Sequence, residues 1–398
     1  MLRFCESFDY YNTAQLGLKW DVLTGGPTVS SAAARNGSGG MISNSGGVYA
    51  QKNVPNSATL TAGFALYVEA IASGRMAMAF RDGSSNQVYL EVTATGDLVV
   101  GRGSTNLAST SSPMSFNAWH YIEIQATFAT GTGGSITVNV DGVAVLSLTG
   151  VNTSQSGNAF AGGVLLGSTQ ALENGTFYYD DVYITDTTGS NNTSFLGDIK
   201  VMALLPAGNG TQNNFSQNAA SWSASTVMAV GQQIIDSNGA LQRVVAITGD
   251  NKTGSGAPTW QATVGLLTTD NHVTWQLVQK TPLSNFNFVN ESPADDDSSY
   301  VSSSTVGNLD RYVFSPVVAT SIAAIAVNLV ARKDDSSTRT IRAVTLSGST
   351  QTDNGSDFAL SQSAYANYQG IFETDPNTGV AWNSTGANNA EFGIKETA

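Results

Sequence analysis

Three tryptophans and a glutamine between residues 219 and 282 have the residue types of a sugar-binding surface. Flat aromatic rings stack on the apolar faces of pyranose rings, while neighbouring amide groups bond the hydroxyls. Trp260 follows a Gly/Pro-containing loop and precedes Gln261, so we expect it to be an exposed platform. Trp222 and Trp275 are expected to build most of the core of so small a unit. The sequence therefore predicts a glycan-binding site at these four residues.

Carboxylates suited to cleaving a glycosidic bond are not paired in the sequence. Such cleavage needs two of them flanking the bond. The expected strand AWHYIEIQATF carries Glu123 and then Gln125, so the second acid is missing. Glu91 stands alone on its strand, and the consecutive Asp180 and Asp181 are expected to face opposite sides of a sheet. We therefore expect no catalytic residues.

Metal-binding and nucleophilic residues also lack the usual spacing. His120 and His272 are the only histidines, so we expect neither a zinc site nor a histidine-based triad. Cys5 is the only cysteine, which excludes an intrachain disulfide and predicts an inert thiol. We expect no cofactor, and the alternative left open is calcium bound by Asp180 and Asp181.

The composition favours short strands joined by turns. The 398 residues include 41 Gly, with 41% apolar and 12% charged residues, which is too apolar for a disordered chain. A net charge of −13 predicts neither a nucleic-acid partner nor an anionic membrane, and suits sugars or proteins. No apolar run could span a bilayer, and Glu6 and Asp9 lie where a signal peptide would be apolar. We expect a protein that folds in a cytoplasm.

Strands with turn signals at a spacing of about 8–12 residues run through residues 1–198, which is typical of a sandwich or jelly roll. The clearest hairpin joins two apolar-alternating runs through Asp141-Gly142, a pair suited to a type I′ turn. A further strand at 177–184 has period-two alternation. Its two expected faces are Phe177, Tyr179, Asp181 and Tyr183 on one side, and Tyr178, Asp180, Val182 and Ile184 on the other.

Four motifs make the first half of the chain resemble a known domain. They are FDYY near the N-terminus, WHYIEI at 119–124, ITVNVDG at 136–142 and YYDDVYI at 178–184. Together they resemble the concanavalin A-like (laminin-G-like) jelly roll of tailed-bacteriophage virion proteins. LGDIKV at 196–201 and the sequence from about residue 285 onward are similar to the domain that follows this jelly roll in the same proteins. The tryptophan-rich segment resembles small carbohydrate-binding modules appended to chitinases and phage tail proteins.

These resemblances imply an all-β chain in three parts. We expect a jelly-roll sandwich at 1–198, a C-terminal β-sandwich-like domain at 199–218 plus 283–398, and an inserted carbohydrate-binding-like β module at 219–282. The implied function is a non-enzymatic virion structural protein, tail-associated at a tip or fibre, whose outward-facing modules bind host surface glycans. A capsid-decoration or head-fibre protein and a glycan-degrading jelly-roll enzyme are the alternatives.

The implied partners follow from that function. They are further copies of the chain, with a homotrimer expected, other virion proteins and host surface polysaccharide. The implied location is the virion.

Overall fold

The computed structural model describes residues 1–110, 114–171 and 173–398. Strands make up 48% of the chain and helices 6%, so the predicted all-β class is confirmed. The chain divides into two compact units, residues 1–203 and 204–398. No helix among the described residues is both long and apolar enough to cross a bilayer.

The first unit is built from fifteen strands in the part of the chain that is described. They are β1 (Leu2–Glu6), β2 (Val22–Thr24), β3 (Thr28–Ser30), β4 (Gly40–Ser45), β5 (Tyr49–Ser57), β6 (Thr59–Val68), β7 (Arg75–Asp82), β8 (Ser85–Val92), β9 (Leu98–Arg102), β10 (Thr105–Ser109), β11 (Trp119–Thr127), β12 (Gly134–Val140), β13 (Val143–Val151), β14 (Ala161–Gly167) and β15 (Asn174–Asp186). Short helices are α1 (Leu16–Lys19) and the 3₁₀ turns Thr13–Gln15 and Ser31–Ala33.

Two antiparallel sheets enclose the core of this unit. The first sheet has the order β13-β12-β11-β6-β15-β4-β3, with β1 paired to β15. The second has the order β10-β9-β8-β7-β14-β5-β2. Alternate residues of both sheets meet in one apolar cluster that includes Phe64, Phe80, Leu90, Ile124 and Leu166. This is the sandwich that the turn spacing predicted.

The predicted hairpin between β12 and β13 is present. Asp141 has φ 50° and Gly142 has φ 77°, the two positive values that a type I′ turn requires. On the neighbouring strand β11, Ile122 and Ile124 point into the core, as their alternation predicted.

The predicted alternation of β15 is wrong beyond Tyr179. A β-bulge shifts the pairing with β6 between Asp180 and Tyr183, and Asp181 adopts φ 51°. Because a bulge inserts one extra residue, the phase of the alternation changes and Val182 enters the core after Tyr179. Asp180 and Asp181 therefore face the same side of the sheet rather than opposite sides.

The second unit contains fourteen strands among its described residues. They are β16 (Pro206–Asn213), β17 (Ser216–Ser221), β18 (Gln233–Ile235), β19 (Leu241–Ile247), β20 (Leu267–Asp270), β21 (Val273–Gln279), β22 (Ser299–Ser302), β23 (Leu309–Phe314), β24 (Ile325–Ala331), β25 (Thr340–Ser347), β26 (Thr350–Asp353), β27 (Phe358–Ala359), β28 (Ala366–Phe372) and β29 (Glu391–Glu396). Short helices are α2 (Ser384–Asn389) and the 3₁₀ turns Asn285–Phe288 and Asp296–Ser298.

Three sheets organise these strands. One has the order β16-β23-β29-β25-β26 with β27 paired to β25, another the order β20-β21-β19-β18-β17-β22, and β24 pairs with β28. Strand β17 crosses the expected start of the inserted module and pairs with β18 inside it and β22 outside it. The three-part division of the chain stays a prediction.

Candidate functional site

The outer face of the second sheet in the first unit brings polar and aromatic side chains together. On β8, Val88 and Leu90 enter the core, so Tyr89 and Glu91 project to the other side. A row of directly paired residues crosses six strands of this face. From β5 to β10 the row reads Gln51, Leu165, Ala79, Tyr89, Gly101 and Asn106.

Tyr89 lies flat within this row because its neighbour has no side chain. A Cβ built on Gly101 would lie 2.2 Å from the Tyr89 hydroxyl oxygen, so the ring covers the glycine. The hydroxyl donates a hydrogen bond to Oδ1 of Asn106 at 2.6 Å. Burial, and then the charges of Glu91 and Glu173, raise the pKa of Tyr89. The residue is 8% exposed and therefore packs as a neutral ring within the sheet.

Two acidic residues are linked to Met76 of β7. Glu91 on β8 is paired directly with Met76, and Oε2 of Glu173 accepts the Met76 backbone N–H at 3.1 Å. The hydroxyl of Ser168 also donates to Glu173. Burial, and then the charge of Glu173, raises the pKa of the Glu91 carboxyl above its ordinary value. The charge of Glu173 thus acts on Glu91, although the two residues are far apart in the sequence.

Arg81 is a nearly buried cation on the same face. It is 7% exposed and its Nη1 donates to Asn86. Its Nε has no hydrogen-bond partner, and no ion pair of the described residues includes it. Burial lowers the pKa of Arg81, and the neighbouring Tyr49 hydroxyl partly offsets that effect. A buried guanidinium without a carboxylate is costly unless an anion or a polar ligand meets it.

Glu123, the acid that the sequence placed on the central strand, has a structural role instead. It is 2% exposed, and its Oε1 accepts bonds from the Tyr183 hydroxyl and from the backbone N–H groups of Leu196 and Gly197 at 3.0 and 2.8 Å. These contacts hold residues 194–201 against the outer face of the first sheet. Glu123 is therefore not available to a substrate.

Asp180 and Asp181 are likewise occupied by donors of the protein. Asp180 accepts the backbone N–H groups of Arg35, Asn36 and Asp181, and Asp181 accepts the amide of Asn36 and the N–H of Val201. Burial, and then the charge of Asp181, raises the pKa of Asp180 to about 7.

No group of three or more His, Cys, Asp or Glu side chains in the described ranges could hold a metal ion. Calcium binding by Asp180 and Asp181 stays a prediction. The carboxylate oxygens of both residues already accept hydrogen bonds from donors of the protein.

The tryptophans of the predicted glycan site form a small core. Trp275 is fully buried and Trp260 is 9% exposed, with ring centroids 6.0 Å apart in an edge-to-face arrangement. Trp222 packs beside them and its Nε1 donates to Asp270 at 2.7 Å. The expectation that Trp260 is an exposed platform is wrong, because a unit this small needs all three rings inside. Gln261 is exposed, and glycan binding by this segment stays a prediction.

Comparisons with known proteins give only distant structural likenesses. No protein-family model matches the chain, and no curated protein matches its sequence. An endo-β-1,4-glucuronan lyase from the fungus Trichoderma reesei matches with a TM-score of 0.33 and 14% identity, over 42% of this chain and 90% of that one. An alginate lyase matches with a TM-score of 0.36 and 10% identity, over 47% and 98%. The alginate lyase from Aplysia kurodai gives 0.31 and 14%, over 40% and 86%.

The expectation of a non-enzymatic virion structural protein is wrong on these findings. The solved structures named above are polysaccharide lyases, and nothing found bears on a phage origin, a virion or a tail. The glycan-degrading jelly-roll enzyme, which the sequence left as an alternative, agrees with them better. At such TM-scores the likenesses carry no reaction or substrate to this chain. Its partners, oligomeric state and location stay predictions.

Proposed function

We propose that the first unit is a glycan-cleaving enzyme whose catalytic groups are Glu91 and Glu173. The observation that carries the proposal is that Glu173 accepts the N–H of Met76, the β7 residue paired with Glu91, and that burial, and then the charge of Glu173, raises the pKa of Glu91. In many enzymes the acid and the base are two titratable groups whose different environments give them different pKa values. Glu91 is the half-buried member with the raised pKa, and Glu173 accepts two hydrogen bonds.

The two residues divide the reaction between them. Glu91 in its protonated form donates a proton to the oxygen of the breaking glycosidic bond. Glu173, whose carboxylate is oriented by Ser168 and the Met76 N–H, removes a proton from water or attacks the sugar carbon directly. The ring of Tyr89 lies beside both acids, and its hydroxyl is held by Asn106.

The test is the release of reducing ends from a panel of polysaccharides by the full chain. Loss of a positioned acid or base costs about 10²–10⁴-fold in rate, so Glu91→Gln and Glu173→Gln should each fall by at least that lower bound. Glu69→Gln is the matched control, because its carboxylate bonds Tyr178 elsewhere in the unit. Equal rates in all three variants and the parent would refute the assignment.

A second candidate, eliminative cleavage of an acidic glycan, is favoured by Arg81. Its guanidinium, which has no carboxylate partner among the described residues, would bind the carboxylate of a uronic acid, which lowers the cost of removing the adjacent carbon-bound proton. The Tyr49 hydroxyl beside it is then the group for proton transfer. Ultraviolet absorbance of an unsaturated product that is lost in Arg81→Gln would favour elimination. Reducing ends without that absorbance would favour hydrolysis.

A further inference from the structure

Three side chains at one end of the first sheet form a continuous hydrogen-bonded chain. The Ser115 hydroxyl lies 2.8 Å from Nε2 of His120, and Nδ1 of the same ring lies 2.7 Å from Oδ2 of Asp141. A hydroxyl, an imidazole and a carboxylate in this order are the parts of a serine nucleophile with its base and its orienting acid. The sequence argued against such a triad because it has only two histidines. The fold nevertheless places a serine and an aspartate on either side of one of them.

Secondary structure fixes the positions of the acid and the base. Asp141 occupies the tight turn between β12 and β13, where its Oδ1 accepts the backbone N–H of Tyr121 at 2.8 Å and its own N–H donates to the Tyr121 carbonyl at 2.9 Å. His120 immediately precedes Tyr121 on β11. Both hydrogen bonds are made to backbone groups of Tyr121, so the strand itself holds the Asp141 carboxylate beside the imidazole.

Ser115 lies in the connection before β11 and is positioned by hydrogen bonds of the residues on either side of it. The N–H of Met114 donates to the Gly96 carbonyl at 2.7 Å, and the N–H of Asn117 donates to the Val68 carbonyl at 2.8 Å. These two bonds bracket Ser115 immediately before β11 begins. The serine is exposed, and the His120 side chain is 15% exposed, so a substrate reaches the hydroxyl from solvent.

The hydrogen bonds define a productive proton arrangement. When Nδ1–H of His120 donates to Asp141, the lone pair of Nε2 faces the Ser115 hydroxyl. The carbonyl oxygen of Ser115 lies 3.2 Å from Nε2 and accepts a hydrogen bond once that nitrogen is protonated. His272 makes a different set of contacts, with Asp250 and Asn271, and has no such hydroxyl among its described partners.

We propose that Ser115, His120 and Asp141 form a second catalytic site, which hydrolyses carboxylic esters. The Ser115 oxygen bonds to the acyl carbon while its proton passes to Nε2 of His120. The bond from that carbon to the alcohol oxygen then breaks, and the alcohol leaves with the proton from His120. Water attacks the acyl-serine, again giving its proton to His120, and the carboxylic acid departs as Ser115 recovers its proton.

The first experiment uses the full chain with p-nitrophenyl acetate. Hydrolysis above the protein-free rate should fall by about 100-fold or more in Ser115→Ala and in His120→Ala, the lower bound expected for loss of a nucleophile or base. Ser147→Ala, an exposed serine on the neighbouring β13, is the matched control and should keep the parent rate. Circular dichroism of each variant checks that the fold is intact.

A lone histidine also attacks activated esters, so the role of the serine needs its own measurement. A fluorophosphonate probe should label the peptide containing Ser115 in the parent and in Ser147→Ala, but not in His120→Ala. Asp141→Asn should reduce both labelling and hydrolysis. Ester hydrolysis that persists in Ser115→Ala, labelling that does not need His120, or no hydrolysis and no labelling in the parent would each overturn the proposal. Glycan cleavage by Glu91 and Glu173 should be unchanged in Ser115→Ala, so the two sites fail independently.

Discussion

The outer faces of the two sheets of the first unit use the same residue types in different ways. On the first sheet, Glu123, Asp180 and Asp181 accept backbone N–H groups from segments that lie across them. On the second sheet, Glu91 and Arg81 lie without a charged partner of opposite sign among the described residues. A buried acid whose oxygens are occupied by the protein's own donors holds segments of the fold together, whereas a buried polar group without such a partner needs another explanation. The comparison separates structural acids from candidate catalytic ones.

The largest effect that tests this comparison should come from replacing the acid Glu91 on the second sheet by its amide. Glu91→Gln should lose at least about 100-fold of glycan cleavage, because the proton donor is gone. It should not lower the free energy of unfolding, since it removes an acid whose ionisation is disfavoured by burial and by Glu173. Polysaccharide assays and denaturant titration of the full chain measure the two quantities. A fall in stability without a fall in activity would reverse the assignment.

The second-largest effect should be a pH dependence of stability on the first sheet, caused by the ionisation of Asp180. The pKa of Asp180 in the folded protein is about 7, above the value of about 3.9 for an unfolded aspartate. Protonated Asp180 therefore stabilises the fold fully below about pH 4, and this stabilisation is lost as the pH rises to about 7. Faster amide hydrogen exchange of β15 at pH 7 than at pH 5, after correction for intrinsic rates, is the expected result.

Asp180→Asn is the control for that pH dependence. Its amide oxygen can still accept N–H bonds but does not ionise, so the pH dependence of the corrected exchange rates should become smaller. Asp181, whose pKa is also raised by burial, keeps the remaining part. A parent protein whose β15 gains protection as the pH rises would contradict the account.

Glu123→Gln should have a smaller effect, confined to stability. The charge of Glu123 strengthens its bonds from the Leu196 and Gly197 N–H groups, and a hydrogen bond to a charged group contributes about 1.5–3 kcal/mol. We expect a loss of about 2 kcal/mol in the free energy of unfolding and faster exchange at residues 196–201. Glycan cleavage should stay at the parent rate. A strong loss of cleavage with unchanged stability would move the catalytic site to the first sheet.

Gly101→Ala on the second sheet tests the position of the Tyr89 ring. The new methyl group would meet the Tyr89 ring and displace it, and such overpacking costs about 1–3 kcal/mol. Because Tyr89 packs beside the acids and takes no part in bond cleavage in this account, KM for the glycan should rise more than kcat falls. Steady-state kinetics measure the two effects, and a fall in kcat alone would assign Tyr89 a different role.

Local patterns in the sequence predicted much of the first unit. The Asp141-Gly142 turn and the inward-facing Ile122 and Ile124 follow from turn chemistry and period-two alternation, which are decided within a few residues. The bulge at Asp181 was missed because nothing in an alternating strand shows that one residue will be unpaired.

The candidate sites were harder to predict because their parts are distant in the chain. The outward position of Glu91 beside Tyr89 was readable from β8, but Glu173 comes from the segment between β14 and β15. Ser115 and Asp141 likewise reach His120 from two different connections. Trp260 was misjudged for another reason, since composition alone does not say whether an aromatic ring serves a core or a surface.

A crystal structure of Glu91→Gln soaked with an oligosaccharide from a cleaved polysaccharide tests the central claim most directly. The account predicts a sugar on the outer face of the second sheet, with a glycosidic oxygen within hydrogen-bonding distance of residue 91 and the Glu173 carboxylate beside the same sugar. A sugar bound instead on the outer face of the first sheet, or against the tryptophan-rich segment with the second sheet bare, would contradict it.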